Sequence, residues 1–166
     1  HLVSGQGGSG NSLFNLDLNG SLTSNAVFDF ESNNSVSIRV QAKDEFNATT
    51  EGNFTVSISN VNEAPVINQG PGPLSLTVTE DSSLSYDLNA TDVDAGSTLT
   101  WSVTGAASNG TASIDSSTGV FSYSPNADFN GSDSATVDVS DSELSASLVI
   151  NLTVTPVNDA PVITQG

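Results

Sequence analysis

The sequence predicts an all-β protein built from Greek-key β-sandwiches in tandem. Three observations lead to this prediction. Apolar and polar residues alternate with a period of two, no stretch of helical length repeats every 3.6 residues, and a block of about 97 residues recurs within the 166-residue chain. Short half-buried strands separated by Gly, Asn and Ser are typical of a β-sandwich, and one sandwich occupies about 100 residues.

Five segments carry the clearest alternation, each with apolar side chains on one face and polar ones on the other. They span residues 74–78, 84–90, 99–103, 135–139 and 146–154. With the remaining segments they predict seven strands between residues 65 and 161, with a core containing Trp101, Leu148, Ile150 and Leu152. Because Trp101 stands in the core-facing register of its strand, core packing is favoured over a sugar-binding platform.

The repeat predicts the domain boundaries. VNEAPVINQG at 61–70 and VNDAPVITQG at 157–166 agree at eight of ten positions, and Asp44 corresponds to Asp141. We therefore expect a partial repeat at 1–64 that lacks its first two strands, a complete repeat at 65–161 and the start of a further repeat at 162–166. The partial repeat has two possible origins. Either the chain is a piece of a longer array, or a neighbouring chain donates the strands.

Charge limits the classes of partner. Nineteen acidic residues face only Arg39 and Lys43, for a net charge of −17. Nucleic acids and anionic lipid surfaces would repel such a chain, and no apolar run is long enough for membrane insertion. The alternation argues against a disordered acidic segment. The carboxylates then either form a solvated surface or gather as ligands of a cation.

Calcium requires six to eight oxygen ligands, which sequence-distant loops can supply together. Four acidic segments are candidates for one site, namely FDFE at 28–31, NVNEAP at 60–65, DVD at 92–94 and Asp141. Purely structural roles would also suit these residue types. Asp92 and Asp94 can simply shape an Asx-turn, and Asn62 and Pro65 can end a strand and stiffen a linker. An EF-hand is excluded because its spacing from Asp92 would require Glu where Val103 stands.

These motifs resemble those of cadherins in order and spacing. FDFE is similar to the L-D-R-E motif of cadherin repeats, NVNEAP to their D-x-N-D-N-x-P linker, ATDVD to their A-x-D-x-D motif, and VSD at 139–141 to their A-x-D strand end. TED, NATDVDAG, SPNADFNG and VNDAPVI resemble the bacterial cadherin-like repeats of giant surface adhesins. The resemblance implies tandem immunoglobulin-like sandwiches that are secreted or displayed at the cell surface.

The resemblance also implies which residues hold Ca²⁺ between repeats. At the first junction they are Asp29, Glu31, Asn62, Glu63, Asp92, Asp94 and Asp141. A second, poorer junction would use Glu80, Asn158 and Asp159, because Asn130 stands where the first repeat has Glu31. Asp44 would face a preceding junction. Departures from the cadherin linker, such as Asn60 for Asp, predict fewer ions, or more weakly bound ones, than the three of a full cadherin junction.

The resulting functional hypothesis is a calcium-rigidified structural and adhesive repeat of a large surface or secreted protein. Its expected partners are neighbouring repeats, self-associating or strand-donating copies that build a filament, and a cell-surface glycan or protein. The alternative hypothesis is a carbohydrate-binding module attached to a secreted polysaccharide-degrading enzyme. The chain itself is predicted not to be an enzyme, since it contains neither a Ser/His/Asp triad nor a phosphate loop.

Overall fold

A computed structural model describes residues 1–161 and 163. The chain divides into two compact units, His1–Val61 (the first unit) and Asn62–Gly166 (the second unit). The all-β prediction is confirmed, since the one helical segment among the described residues is a three-residue 3-10 turn at Asn11–Leu13. In the same part of the chain no helix is long and apolar enough to cross a membrane. The start of a further repeat, predicted at 162–166, lies outside the described residues except for Ile163.

The first unit contains two antiparallel hairpins. Strands β1 (Phe14–Leu16) and β2 (Leu22–Ser24) form one hairpin, and β3 (Ser35–Lys43) and β4 (Thr49–Ser57) form the other. The buried core is small and consists of Phe14, Val36 and Ile38, with the Phe28 ring stacked on Phe14 at 5.4 Å between centroids. Leu2 forms an antiparallel bridge to Val40 on the outer edge of β3.

The second unit is a sandwich of nine strands within the described residues. They are β5 (Val66–Ile67), β6 (Leu74–Thr79), β7 (Leu84–Asp87), β8 (Ala90–Thr91), β9 (Thr100–Gly105), β10 (Gly110–Ile114), β11 (Val120–Pro125), β12 (Gly131–Ser140) and β13 (Ser145–Thr155). One sheet has the order β6-β13-β12-β9, the other has the order β10-β11-β7, and β5 pairs with β8. All pairs are antiparallel except β13 with β6.

The core of the second unit follows the predicted alternation. Along β13 the burial alternates residue by residue, because successive side chains point to opposite faces of the sheet. Trp101, Leu148, Ile150 and Leu152 are all buried, which confirms the predicted core. Phe121 and Tyr123 from the opposite sheet fill the space between the layers.

The strand count differs from the seven predicted because two strands are interrupted. Pro71 and Pro73, with glycines between and before them, separate β5 from β6, since Pro supplies no backbone N–H for a sheet. The predicted strand at 84–90 is interrupted at Leu88. The residues before the interruption form β7, which pairs with β11, and those after it form β8, which pairs with β5. The prediction was therefore wrong in strand number, although each alternating segment it used is extended.

Each unit contains a turn that is held by the side chain of an aspartate, Asp17 in the first unit and Asp115 in the second. Asp17 Oδ1 accepts hydrogen bonds from the N–H groups of Asn19 and Ser21. Asp115 Oδ1 accepts hydrogen bonds from the Ser117 hydroxyl and from the N–H groups of Ser117 and Thr118. These bonds, of which the one from the Ser117 hydroxyl contributes most, lower the pKa of Asp115 to about 2.

Candidate metal centre

The loop that follows β8 carries two predicted ligands. Asp92 Oδ1 accepts a 2.8 Å hydrogen bond from the N–H of Asp94, which is the Asx-turn expected of such a sequence. Asp92 Oδ2 is buried and accepts no hydrogen bond. Among the described residues, it is the one buried side-chain nitrogen or oxygen atom that lacks a hydrogen-bond partner. Forming the turn therefore leaves one carboxylate oxygen of Asp92 without a partner.

The segment before β5 is tied to this loop through its backbone. Asp94 is 9% exposed, and its Oδ2 accepts a 2.9 Å hydrogen bond from the N–H of Glu63. The carbonyl oxygen of Asp94 accepts a hydrogen bond from the Ser97 hydroxyl. Asp94 is thus held between the two segments, and its carboxylate orientation is fixed by backbone geometry.

Asp141 lies just beyond the end of β12. Its Oδ1 accepts hydrogen bonds from the N–H groups of Glu143 and Leu144, and its Oδ2 accepts a 2.8 Å bond from Nδ2 of Asn62. These bonds, led by the one from Leu144, lower the pKa of Asp141 below its ordinary value. The charged form of Asp141 is therefore favoured, which a cation site requires.

Five predicted ligands therefore meet at one end of the second unit. The hydrogen bonds join Asn62 to Asp141, Glu63 to Asp94, and Asp94 to Asp92. All five side chains carry an oxygen atom that can bind a metal, and oxygen atoms are the ligands that hard divalent cations prefer. The orphaned Oδ2 of Asp92 fits the same chemistry, because a buried anionic oxygen is costly unless a donor or a cation compensates it.

No basic side chain can neutralise this end from within the second unit. Residues 62–166 contain thirteen of the 19 acidic residues and no Lys, Arg or His. Both basic side chains lie in the first unit, where Arg39 forms an ion pair with Glu51. Within the second unit, the carboxylates therefore have hydrogen-bond donors as partners, such as the Glu63 N–H and the Asn62 amide, but no basic side chain.

Asp29 and Glu31 lie in the first unit. Both oxygens of Asp29 interact with Ser32, at 2.9 Å from its N–H and 3.0 Å from its hydroxyl. These bonds, of which the backbone one has the larger effect, lower the pKa of Asp29. The side chains of Asp29 and Glu31 are exposed. Asp44, predicted to face a preceding junction, caps its own turn by accepting hydrogen bonds from the N–H groups of Phe46 and Ala48.

A second acidic group surrounds the C-terminal end of the sandwich. Glu80 is only 4% exposed, with Oε1 accepting a 2.6 Å bond from the Val157 N–H and Oε2 a 3.3 Å bond from Asn130 Nδ2. Partial desolvation, and then the charges of Asp81, Asp128 and Glu80, raise the pKa of Asp159. Nδ2 of Asn158 donates a hydrogen bond to the backbone carbonyl oxygen of Asp159.

Asp81 and Asp128 were not among the predicted ligands at this second end. Both have left-handed backbone conformations, with φ of 63° and 58°. The correspondence of Asp128-Phe129-Asn130 with Asp29-Phe30-Glu31 was the sequence signal for Asp128, and the position of Asp81 directly after Glu80 was the signal for Asp81. The charges of both residues contribute, after desolvation, to the raised pKa of Asp159.

Comparison with known proteins identifies relatives of both sequence and fold. Residues 62–156 match the family model described as a bacterial cadherin-like domain. No curated protein matches this chain. Several solved structures are similar over more than the second unit. Of these, Drosophila N-cadherin EC1-4 gives a TM-score of 0.72 at 13% identity, with 92% of this chain and 41% of that chain covered.

Two further solved structures show the same likeness. Human protocadherin-24 EC1-2 gives a TM-score of 0.68 at 12% identity and covers 97% of this chain and 81% of that one. Protocadherin gammaB7 EC3-6, solved as a cis-dimer, gives 0.58 at 23% identity, covering 88% and 39%. The chain spans about two fifths of the length of the first such structures. At these identities the likeness establishes the fold.

Proposed function

The chain belongs to the bacterial cadherin-like domain family, and we propose that it is a calcium-rigidified repeat of a larger surface or secreted protein. Cadherin-like domains are extracellular structural and adhesive modules rather than enzymes, and their repeats are arranged in tandem. The proposal adds to this family role a specific metal dependence and a specific set of side chains.

The observation that carries the proposal is the buried, unpartnered Oδ2 of Asp92. A buried acceptor without a partner costs about 1–3 kcal/mol, and more when it is charged. Asp94 and Asp141 are fixed beside the same segments by backbone hydrogen bonds, so their carboxylates lose little further ordering entropy on binding a cation. Bound calcium would supply the positive charge that residues 62–166 lack.

We propose that Asp29 and Glu31 of the first unit complete this centre, together with Asn62, Glu63, Asp92, Asp94 and Asp141. The same calcium ions would then be bound by oxygen atoms of both repeats. This shared binding would restrain the linker between the repeats. The C-terminal group of Glu80, Asn158 and Asp159, with Asp81 and Asp128 added, would serve the following repeat in the same way. A stiff array of this kind suits a spacer that presents an adhesive partner, whether a further copy, a cell-surface glycan or a protein.

Calcium titration by calorimetry tests the proposal, with melting curves in calcium and in chelator. Extracellular calcium modules have Kd values of about 10⁻⁴ to 10⁻³ M, so about 10 mM calcium should stabilise the folded state by about 1.4–2.7 kcal/mol per site. The variant Asp92→Asn should remove most of the binding heat. Asp87→Asn, at an exposed position on β7, is the matched control and should bind calcium as the parent does.

Identical melting curves in calcium and chelator would refute the proposal. So would a calcium affinity that Asp92→Asn and Asp87→Asn reduce to the same extent, because the carboxylates would then act only as a diffuse acidic surface. The carbohydrate-binding alternative is favoured by no observation. It needs an exposed aromatic row, whereas Trp101, Phe121 and Tyr123 are buried in the core.

A further inference from the structure

Eight asparagines of the chain are followed two positions later by Ser or Thr, which is the sequence that N-linked glycosylation requires. Six of the eight also have Asp or Glu two positions before the asparagine. Acidic residues occupy 19 of the 166 positions, so about one of the eight would have such a neighbour by chance. The six are Asn19, Asn33, Asn47, Asn53, Asn89 and Asn130. The chain therefore repeats a longer pattern, in which an acid, an amide and a hydroxyl occupy every second position.

This spacing places the three side chains on one side of an extended segment, because successive residues of a strand point in opposite directions. An enzyme that binds the segment in extended form would therefore meet a carboxylate, the acceptor amide and a hydroxyl in one row. The carboxylate suits a basic side chain of the enzyme, since charge-assisted hydrogen bonds are about twice as strong as neutral ones. All six asparagines are exposed, so an attached sugar would lie outside the core.

Residues 87–91 of the second unit show this row in the folded protein. The acid, the amide and the hydroxyl are exposed, whereas Leu88, between the acid and the amide, is 1% exposed. Both hydrogen bonds of Asn89 use its backbone, with the N–H donating to Gln69 Oε1 at 3.2 Å and the carbonyl oxygen accepting from the Asn68 N–H at 2.8 Å. The exposed side-chain amide of Asn89 therefore remains available for reaction.

The other five asparagines with a preceding acid each differ from Asn89 in one respect. Asn33 and Asn130 use their side-chain amides in hydrogen bonds. At Asn53 the preceding acid forms an ion pair with a basic side chain. At Asn19 the acid accepts a hydrogen bond from the N–H of the asparagine itself, and Asn47 has a left-handed backbone with φ of 67°. Of the six, Asn89 thus combines a free amide and a free acid with an alternating, extended segment.

The segment around Asn89 is also held by few backbone pairs. Strand β8, which follows it, pairs with β5 through two residues. Asn151 also has a hydroxyl residue two positions later, but Val149 stands where the acid would be. It lies within β13, which pairs with β12 on one side and with β6 on the other. Local opening that admits an enzyme to residues 87–91 therefore breaks fewer hydrogen bonds than opening of β13.

We propose that Asn89 is an acceptor for an N-linked glycan, and that Asp87 and Thr91 are the residues by which the transferring enzyme recognises it. Nδ2 of Asn89 forms a bond to the anomeric carbon of a sugar carried on a lipid diphosphate. The anomeric C–O bond breaks, the diphosphate leaves with the electron pair, and the amide nitrogen releases one proton to solvent. This modification goes beyond the proposed calcium-dependent role, because none of the three residues is a proposed metal ligand.

Co-expression of the full chain with a bacterial oligosaccharyltransferase and a lipid-diphosphate-linked oligosaccharide tests the proposal. Fragmentation of the intact glycopeptide in the mass spectrometer should place a glycan on Asn89 and none on Asn151. Asp87→Asn removes a charge without changing the size of the side chain. It should slow modification of Asn89 by about tenfold or more, because a hydrogen bond to a charged group is lost.

Glu143→Gln is the matched control, since it removes a charge at another exposed position of the second unit. It should leave the modification of Asn89 unchanged. The circular dichroism spectrum of each variant shows that the sandwich is still folded. Asn89→Gln should lose the glycan but bind calcium as the parent does, which separates this inference from the calcium proposal.

Three results would overturn the proposal. The first is an unmodified Asn89 in cells where the same enzyme modifies its usual substrate. The second is equal modification of Asn89 in the Asp87→Asn and Glu143→Gln variants, because the acid would then have no part in recognition. The third is equal occupancy of Asn89 and Asn151, because neither the acid nor the position in the fold would then select the acceptor.

Discussion

Nδ2 of Asn62 lies 2.8 Å from Oδ2 of Asp141, a residue 79 positions further along the chain. This hydrogen bond connects the segment before β5 with the end of β12, where the N–H groups of Glu143 and Leu144 hold the other oxygen of Asp141. The bond fixes the direction in which the Asp141 carboxylate points. Because it uses the amide nitrogen of Asn62, the amide oxygen Oδ1 can still serve as a metal ligand.

The first prediction follows from this bond. Asn62→Ala removes the donor that orients Asp141, and loss of such an orienting partner lowers metal affinity by about 10- to 100-fold. We expect a calorimetric titration of this variant to show at least the lower value. Asn151→Ala, at an exposed position on β13, is the control. Unchanged affinity in Asn62→Ala would mean that Asn62 serves only to end the linker.

The second prediction concerns a polar network within the sandwich. Asp133 Oδ2 accepts hydrogen bonds from the Tyr123 hydroxyl at 2.9 Å and the Asn109 N–H at 2.8 Å, and Oδ1 accepts one from the Ser108 N–H. Asp133→Ala leaves these donors unsatisfied and should cost about 1–3 kcal/mol of unfolding free energy. Tyr123→Phe removes only one bond and should cost about 0.5–1.5 kcal/mol. Chemical denaturation measures both values, and equal losses would contradict the ranking.

The third prediction is the pH dependence that the same network implies. Partial burial opposes ionisation of Asp133, but the bonds from Asn109, Ser108, Ser134 and Tyr123 outweigh it and lower its pKa below the ordinary value. A pKa lowered by folding contributes stability above the ordinary pKa, and this contribution is lost as pH falls through the folded-state value. Melting curves between pH 6 and pH 2 should therefore converge for the parent and Asp133→Asn. A constant difference between them would be inconsistent with this assignment.

The fourth prediction compares two glycines at equivalent turns. Gly119 has a φ of +75°, and a Cβ there would lie 2.5 Å from the carbonyl oxygen of Leu88 and 2.9 Å from Nε1 of Trp101. Gly20 has a φ of +84° but no atom within 4 Å of such a Cβ. Gly20→Ala should cost only the left-handed conformation, about 1–2 kcal/mol, and Gly119→Ala should cost more because it also clashes. Equal losses in denaturant unfolding would show that the β10–β11 turn does not pack as described.

Much of the fold could be predicted because burial in a sandwich follows a two-residue period. The alternation at 146–154 appears as an alternating burial pattern along β13, and Trp101 is buried as its register requires. The division of the strand predicted at 84–90 was not evident in the alternation, since apolar residues continue on either side of Leu88 while the chain moves to a different sheet. Periodicity reports which face a side chain takes, and it does not report which strand lies alongside.

The candidate site could be predicted only in part. The acidic motifs identified Asp92, Asp94 and Asp141, but the pattern could not distinguish an Asx-turn from a cation ligand. In the structure Asp92 uses one oxygen for the turn and leaves the other buried without a partner, so the two roles are compatible. Asp81 and Asp128 were missed although the sequence carried a signal for each, because these signals do not show that both carboxylates lie close enough to Asp159 to raise its pKa.

Small-angle X-ray scattering of the chain, in calcium and in chelator, tests the central claim most directly. If calcium restrains the two repeats through the proposed ligands, the parent should show a narrower distribution of dimensions in calcium, and a double Asp92→Asn and Asp94→Asn variant should scatter alike in both conditions. The double variant must retain its folded circular dichroism spectrum. A parent chain whose scattering does not respond to calcium, or a double variant that responds as the parent does, would contradict the account.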